Sequence, residues 1–457
     1  MRFIESLNHF VWGVPALLMI LGVGIYLSIC TGFAQFRMLP AAFREFLQQF
    51  ARKRKKTESS GYRALCTALA ATVGTGNIVG VAGAITIGGP GALFWMWVCA
   101  VFGMILKFAE ATLAVRYRVN NPAGEYVGGT MYMIQQGMGS RWKLLATIYC
   151  LFGTVAAFGV GNTTQLNAIL MSVDAAIAYL GGNIGVYLHV MIAVGIAALT
   201  AIILLGGANR ISAAAEKIVP VASVCYLVMC FAVIVLCSHK IPGVVISVFK
   251  GAIDPKSVTG GALGSAFIAL RIGASRGTFT NEAGMGTAAI AHAGAKVSHA
   301  VEQGRMGIVE VFLDTIVICT MTAFAILCSG IYIPYGADTG NLLTGKAFTS
   351  VLGGWSIIPL TIAICSFAFA TIIGWSMYGA RCAQFLFGER SWRWFVYIQV
   401  AIIILGSCMT TPMVWLIAET LNGLMAIPNL IALMYLSPEL LRLIKEAGAQ
   451  NVLRRRL

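Results

Sequence analysis

The sequence is poor in charge. Only 11% of its 457 residues are charged, whereas 58% are hydrophobic. A soluble domain carries roughly a quarter charged residues, so this composition excludes an ordinary soluble protein. Apolar runs of about 20 residues recur from end to end, and each is long enough to cross a hydrocarbon core of about 30 Å. The composition therefore predicts an all-α, multi-pass membrane protein whose first apolar run is retained as a helix.

Paired cysteines and clustered histidines are also missing. The twelve cysteines stand singly, without a C-x-x-C pair, and the five histidines show no metal-ligand spacing. These patterns argue against disulfides and a structural zinc site, and they favour cysteine as a small packing residue. No H-E-x-x-H and no G-x-x-x-x-G-K-[ST] is present, which disfavours a zinc peptidase and an ATP-driven pump. We predict a transporter without a cofactor. A membrane-embedded enzyme and a channel are the alternative classes.

The net charge is +15, and the basic residues are distributed along the chain as the topology of a membrane protein would distribute them. We therefore expect no nucleic-acid partner. We predict eleven spans, at about 11–33, 64–88, 92–115, 145–172, 185–206, 214–237, 259–283, 306–330, 356–380, 394–411 and 413–436. Of the 32 basic residues, 24 then fall on one side of the membrane and five on the other. This asymmetry predicts an external N-terminus and a cytoplasmic C-terminus. We expect a monomer in the lipid bilayer of a bacterial inner membrane.

The most informative segment present is the run 64–87, because Thr72, Gly74, Thr75, Gly76 and Asn77 interrupt it near its middle. Irregular backbone is tolerated in the hydrocarbon region only where it is buried in protein or lines a cavity. A helix broken by glycine at this depth therefore predicts a solute or ion site. The alternative is a close helix crossing between small residues.

A similar interruption recurs later in the chain, at 271–284. The spans after the first divide into two sets of five, at 64–237 and 259–436, each led by the interrupted helix. An odd number of helices gives the two sets opposite orientations, which predicts an inverted-repeat core. Residues 1–63 form an N-terminal helix with a basic cytoplasmic loop, and 437–457 form a basic cytoplasmic tail.

Several charged residues lie within predicted spans, where they are costly and are usually paired or functional. Lys107 and Glu110 are spaced to pair on one helix face. We expect Arg276 to bridge to a nearby carboxylate and to brace the second interruption. The alternative is a role in gating or proton coupling. The carboxylates in reach by sequence position are Glu282, Glu310 and Asp314.

Six strings, in order over more than three hundred residues, resemble signatures of the alanine or glycine:cation symporter family. They are VGTGNI at 73–78, GGPGALFWMW at 88–97, SRGTFTNEAG at 275–284, DTIVICTMT at 314–322, GWSMYG at 374–379 and MAIPNL at 425–430. This resemblance implies the leucine-transporter-like fold of the amino acid-polyamine-organocation superfamily. It also implies sodium-coupled uptake of alanine or glycine. Departures such as Ala370, where the family often has threonine, affect the polarity of the pocket.

Helix dipoles suggest how an amino acid would bind. Amides from Gly74 to Asn77 would face its carboxylate, and backbone from Gly273 to Thr278 would face its ammonium. The resemblance implies that the carbonyls of Ala70, Val73 and Ala368 and the hydroxyl of Thr371 ligate Na⁺. The second hydroxyl that this fold often supplies is replaced by Ile372. Alternatively, Thr371 bonds to a carbonyl of its own helix.

Four further residues are expected at the substrate. Carried over from the family, Trp375 lines and shortens the pocket; the alternative is a tryptophan at the membrane interface. Gln165 can hydrogen-bond the substrate carboxylate and Gly161 lets the substrate approach, unless this polar cluster only joins helices. Phe279 is a candidate lid. The resulting prediction is Na⁺-coupled symport of alanine or glycine by alternating access. Proton-coupled transport of another small amino acid is the alternative.

Overall fold

A computed structural model describes residues 6, 8, 11–51, 60–182, 185–261, 265–336, 340–407 and 411–454. The basic residues predicted at 52–56 and the end of the tail at 455–457 lie outside the described residues. The described chain is almost entirely helical. Its only strands, β1 (Val119–Asn120) and β2 (Tyr126–Val127), form a short antiparallel hairpin that pairs Val119 with Val127 and Asn120 with Tyr126.

The helices of the first half run in chain order from α1 to α11. They are α1 (Val14–Cys30), α2 (Ala34–Ala51), α3 (Ser60–Thr72), α4 (Val79–Gly88), α5 (Gly91–Arg116), α6 (Thr130–Tyr132), α7 (Lys143–Phe158), α8 (Thr164–Tyr179), α9 (Val186–Leu204), α10 (Gly207–Leu236) and α11 (Ile241–Ile253). Short 3₁₀ turns lie at Thr75–Asn77, Ser140–Trp142, Ser238–Lys240 and Pro255–Ser257, and π-helical turns at Met133–Met138 and Gly159–Thr163.

The second half continues with nine helices. They are α12 (Ala266–Asn281), α13 (Thr287–Ala293), α14 (Ala300–Val311), α15 (Thr320–Ser329), α16 (Gly340–Leu352), α17 (Ile357–Phe387), α18 (Ser391–Gly406), α19 (Thr411–Tyr435) and α20 (Ser437–Arg454). A π-helical segment, Phe312–Cys319, joins α14 to α15, and a 3₁₀ turn, Gly354–Ser356, precedes α17.

Six helical stretches in the described chain are long and apolar enough to cross a membrane, and up to nine are if each bent pair counts as one span. The bent pairs include α1 with α2, at 81°, and α3 with the segment Thr75–Gly88, at 61°. The shorter apolar helix α18 occupies another predicted span. The multi-pass helical fold is thus confirmed, while the count of eleven spans and the division into inverted repeats stay predictions.

Both predicted interruptions are breaks in helices, but the second lies later than expected. Helix α12 runs without a break through Gly273 and ends at Asn281. Glu282 then adopts a left-handed conformation with φ 53°, Gly286 has φ 75°, and α13 begins at Thr287. Of the interruption predicted at 271–284, the part up to Asn281 is therefore helical, including the backbone from Gly273 to Thr278 expected to face the ammonium, and the residues that leave the helix are 282–286.

Close packing between small residues holds the breaks in place. Helix α5 packs against α12 and α14, and α17 packs against α3, α7, α8 and α10. A Cβ added at Gly374 of α17 would lie 2.9 Å from the backbone nitrogen of Ala71 in α3. Small residues allow such an approach, which brings the middle of α17 against the end of α3. The candidate functional site is built at this contact.

Candidate functional site

The first break redirects the backbone hydrogen bonds of α3. In a continued helix the amide of Gly74 would bond to the carbonyl of Ala70, but it donates instead to Oδ1 of Asn77 at 2.9 Å. The amide of Asn77 likewise donates to the carbonyl of Gly74 at 3.3 Å and not to that of Val73. The carbonyls of Ala70 and Val73 have thereby lost their usual helical donors. Free carbonyls of this kind suit a cation.

Asn77 also anchors the break to another part of the chain. Its Nδ2 donates to Oδ1 of Asp314 at 2.7 Å and to the Asp314 carbonyl at 3.1 Å. The neighbouring Thr315 accepts a hydrogen bond from Nδ2 of Asn281, the last residue of α12, at 3.0 Å. All four residues are buried. The π-helical segment therefore connects the first break to the start of the second.

Thr371 of α17 faces the first break. A Cβ added at Gly74 would collide with the Thr371 hydroxyl, so this oxygen lies directly against the broken backbone. The hydroxyl is buried and has no hydrogen-bond partner in the described part of the chain. It therefore does not bond to a carbonyl of its own helix, as Ser376 does to that of Ile372 at 2.6 Å. Ala368 is fully buried about one turn earlier on α17.

Polar side chains of the first break meet α8. The Thr75 hydroxyl donates to Oε1 of Gln165 at 3.0 Å, and Nε2 of Gln165 donates to the carbonyl of Val160 in the π-helical turn. The Thr72 hydroxyl, in contrast, donates to the carbonyl of Ala68 in its own helix. Gly76 faces the side chain of Thr280 on α12. The structure thus brings the predicted residues of both halves together around 72–77.

Trp375 is fully buried, so the alternative that it anchors the protein at the membrane interface is wrong. Gly161 packs directly against Trp375, because a Cβ added at Gly161 would collide with Cβ of Trp375. Nε1 of Trp375 donates to Oε1 of Glu282 at 2.7 Å. Phe279 is half-buried at the edge of the main core. Gly273 packs against the Ala92 carbonyl and Cβ of Trp95 on α5.

The buried charges pair differently from the sequence-based expectation. Lys107 forms an ion pair with Glu310 at 3.2 Å, and Nε2 of His292 lies 2.7 Å from the other Glu310 oxygen. Glu110 instead accepts hydrogen bonds at the second break. Arg276 pairs with Glu419 of α19 at 2.8 Å and not with Glu282, Glu310 or Asp314. These partners are distant in sequence, so helical spacing could not predict them.

The second break depends on Glu110 and Asn429, whose role at this break the sequence analysis did not predict. Oε1 of Glu110 accepts hydrogen bonds from the amides of Gly284 at 2.9 Å and Gly286 at 3.1 Å, and from Nδ2 of Asn429 at 2.7 Å. Asn429 also donates to the Gly284 carbonyl at 2.9 Å. The sequence signal that could have identified Asn429 is its position, as a polar residue directly after Pro428 in an apolar helix.

One string in the second half matches a catalytic pattern. Gly273-Ala274-Ser275-Arg276-Gly277 fits G-x-S-x-G, in which a strained turn between strand and helix exposes a nucleophilic serine. Here the string lies within the continuous helix α12. The local structure that would make this serine a nucleophile is therefore absent from the described residues around it.

Two cavities lie toward opposite ends of α17. One, of about 410 Å³, is lined by Arg63, Lys296 and Arg381 among others, and the second, of about 300 Å³, by Val79, Thr361 and Ile364 among others. At about 1.5 Å rise per residue, positions 364 and 381 are roughly 25 Å apart along the helix. Thr371 lies between them, so the site around the first break is flanked by a cavity on either side.

Comparison with known proteins identifies the family. The model of the sodium:alanine symporter family matches residues 1–454. The chain belongs to the sodium:alanine symporter family. It is 38% identical to the sodium/alanine symporter AgcS of Methanococcus maripaludis, over 95% of this chain and 94% of that protein. It is 37% identical to the probable sodium/glutamine symporter GlnT of Bacillus subtilis, over 97% of this chain and 90% of that protein.

The fold comparison agrees with this membership. The structure of MhsT in complex with L-phenylalanine matches with a TM-score of 0.58 at 14% identity, over 86% of this chain and 99% of that one. The fold is that of the leucine-transporter-like secondary transporters. As a member of this family, the protein is a multi-pass secondary amino-acid symporter and not an enzyme.

Proposed function

We propose that this symporter couples the uptake of alanine or glycine to the inward movement of Na⁺. The observation that carries the proposal is the buried hydroxyl of Thr371, which lies against Gly74 and has no partner among the described residues. The carbonyls of Ala70 and Val73, at the same break, have lost their helical donors. These two carbonyls and the Thr371 hydroxyl would supply three neutral oxygen ligands, which suit Na⁺. The Ala368 carbonyl completes the proposed Na⁺ ligands.

The substrate would bind beside this cation. The amides of Gly74 and Asn77 are bonded within the break, so the substrate carboxylate would face those of Thr75 and Gly76. The side chains of Thr72, Thr75 and Gln165 would surround it. Trp375, which packs against Gly161, would close the pocket on one side and restrict it to a small side chain. Phe279 is the proposed lid. Gly273 has no part in this pocket because it packs on α5. The ammonium would instead face the backbone at the end of α12.

The cavities on the two sides of the site support a mechanism of alternating access. We place the cavity that contains Arg63, Lys296 and Arg381 on the cytoplasmic side, because the basic residues accumulate there. The opposite cavity is the external one. The N-terminus would then be outside and the C-terminus inside, in a bacterial inner membrane, and each monomer would contain a complete pathway.

Uptake by purified protein in proteoliposomes tests this function. We expect labelled alanine to accumulate when an inward Na⁺ gradient is imposed, and not when K⁺ replaces Na⁺. Unlabelled alanine and glycine should compete, and glutamine, which the name of one relative suggests, should compete poorly. Accumulation driven by a proton gradient without Na⁺, or a preference for glutamine over alanine, would overturn the proposal.

A further inference from the structure

The second break is connected to the proposed pocket wall through one side chain. Oε1 of Glu282 accepts the indole N–H of Trp375 at 2.7 Å, and Oε2 accepts the hydroxyl of Thr287 at 2.6 Å. Glu282 is 2% exposed and Trp375 is 0% exposed, so water does not compete for either bond. A residue on α17 is thus tied to the break between α12 and α13.

The backbone of Glu282 explains why its carboxylate reaches α17. Glu282 has φ 53°, a left-handed backbone conformation that residues other than glycine and asparagine rarely adopt. This conformation ends α12, and here the side chain crosses to α17 and does not continue along the helix. Surrounding contacts must stabilise such a residue. The bonds from Trp375 and Thr287 supply two of them.

Packing and a hydrogen bond together orient the indole. Gly161 packs against Trp375 at Cβ and Cγ, and the ring of Tyr378 lies 5.8 Å away, centroid to centroid. The hydrogen bond at Nε1 is directional, so it selects one orientation of the ring about the Cβ–Cγ bond. Removing the acceptor would remove this selection and allow the buried ring to repack in another orientation.

We propose that Glu282 is a specificity-determining positioning residue: it holds the Trp375 indole in the orientation that restricts the pocket to small side chains. This inference rests on the proposed function in one respect, that Trp375 lines the substrate pocket. It adds that pocket size depends on the second broken helix. A movement of α12 and α13 during transport would then change the wall and the access path together.

The test compares substrate profiles among matched variants. Glu282→Ala removes the acceptor, Trp375→Phe removes the donor but keeps an aromatic wall, and Glu282→Gln keeps an acceptor oxygen. We expect valine and leucine to compete at least about tenfold better in the first two variants than in the wild type. Glu282→Gln should retain the wild-type profile. Thr287→Val, which removes only the second bond to Glu282, is the control and should also retain it.

A second measurement needs no substrate. Unfolding temperatures of Glu282→Ala, Trp375→Phe and the double variant form a cycle that reports whether the two residues interact. We expect the double variant to lose clearly less than the sum of the single losses. If the losses in unfolding temperature are additive, the two residues do not interact, and the proposal is overturned whatever substrate the protein transports. A coupled cycle with an unchanged profile in Glu282→Ala overturns the role in specificity, whereas failure of wild-type Na⁺-driven uptake overturns only the proposed function.

Discussion

At the scale of single residues, the Thr371 hydroxyl is the sharpest test of the proposed Na⁺ site. Thr371→Val keeps the shape of the side chain and removes its oxygen. A contact with a charged group contributes about 1.5–3 kcal/mol, and about 1.4 kcal/mol corresponds to a factor of ten. We therefore expect the apparent Na⁺ affinity of uptake to fall about tenfold or more.

The control for this change is Thr371→Ser, which retains the hydroxyl and should keep most of the Na⁺ affinity. Alanine affinity should change only through its coupling to Na⁺, because such linkage is reciprocal. An unaltered Na⁺ dependence in Thr371→Val would remove Thr371 from the ion site.

Trp375 is the residue that tests pocket size. Burial of a methylene contributes only about 0.8 kcal/mol, so selectivity for alanine has to come from steric exclusion of larger side chains. Trp375→Ala should bind alanine less well and begin to accept valine or leucine in competition assays. Trp394→Ala, at an exposed tryptophan of α18, is the control and should leave the profile unchanged. Normal alanine uptake with continued rejection of leucine would place Trp375 outside the pocket.

At the scale of elements, the second break is held by a carboxylate from a different helix. Glu110 of α5 accepts two amides of the break and the side chain of Asn429. Glu110→Ala leaves these buried donors unpaired, at a cost of about 1–3 kcal/mol for each donor that stays unsatisfied. We expect a large fall in the unfolding temperature of the detergent-purified protein.

The comparison variants for this change are Glu110→Gln and Glu439→Ala. The first retains an acceptor oxygen and should lose much less stability. The second removes the partner of Arg116 at the surface, where solvent screening limits an ion pair to about 0–1 kcal/mol. If Glu110→Ala were no less stable than Glu439→Ala, the second break would not depend on this contact.

At the scale of the whole molecule, the proposed orientation in the membrane rests on the 24-to-five distribution of basic residues. A reporter that is active only in the cytoplasm should work when fused after Leu457. The same reporter inserted at Asp174, in the last two turns of α8, should be silent. Activity at Asp174 together with silence at the C-terminus would invert the proposed topology. Because the sides of the two cavities were assigned from the same charges, this result would also exchange them.

The sequence by itself determined the membrane class, the transporter family and the first break. These features are local: apolar runs have the length of the bilayer, and Gly74 and Gly76 interrupt one of them beside Asn77. Backbone preference and hydrophobic length act within a few turns of helix, so the residues near 70–77 could be selected without a structure. Thr371 and Trp375 were selected by resemblance to family motifs. In the structure Thr371 lies against Gly74 and Trp375 against Gly161, which are also predicted site residues.

Only the tertiary structure decided where the second break lies and which charges meet. The glycines at 273 and 277 have the same local character as those of the first break, yet α12 passes through both as a helix packed on α5. The break occurs at 282–286, where Glu110 and Asn429 satisfy the backbone from elsewhere in the chain. Likewise, Arg276 meets Glu419, 143 residues away, instead of a carboxylate nearby in sequence. Most buried polar groups take partners that folding brings within reach, and sequence spacing does not contain that information.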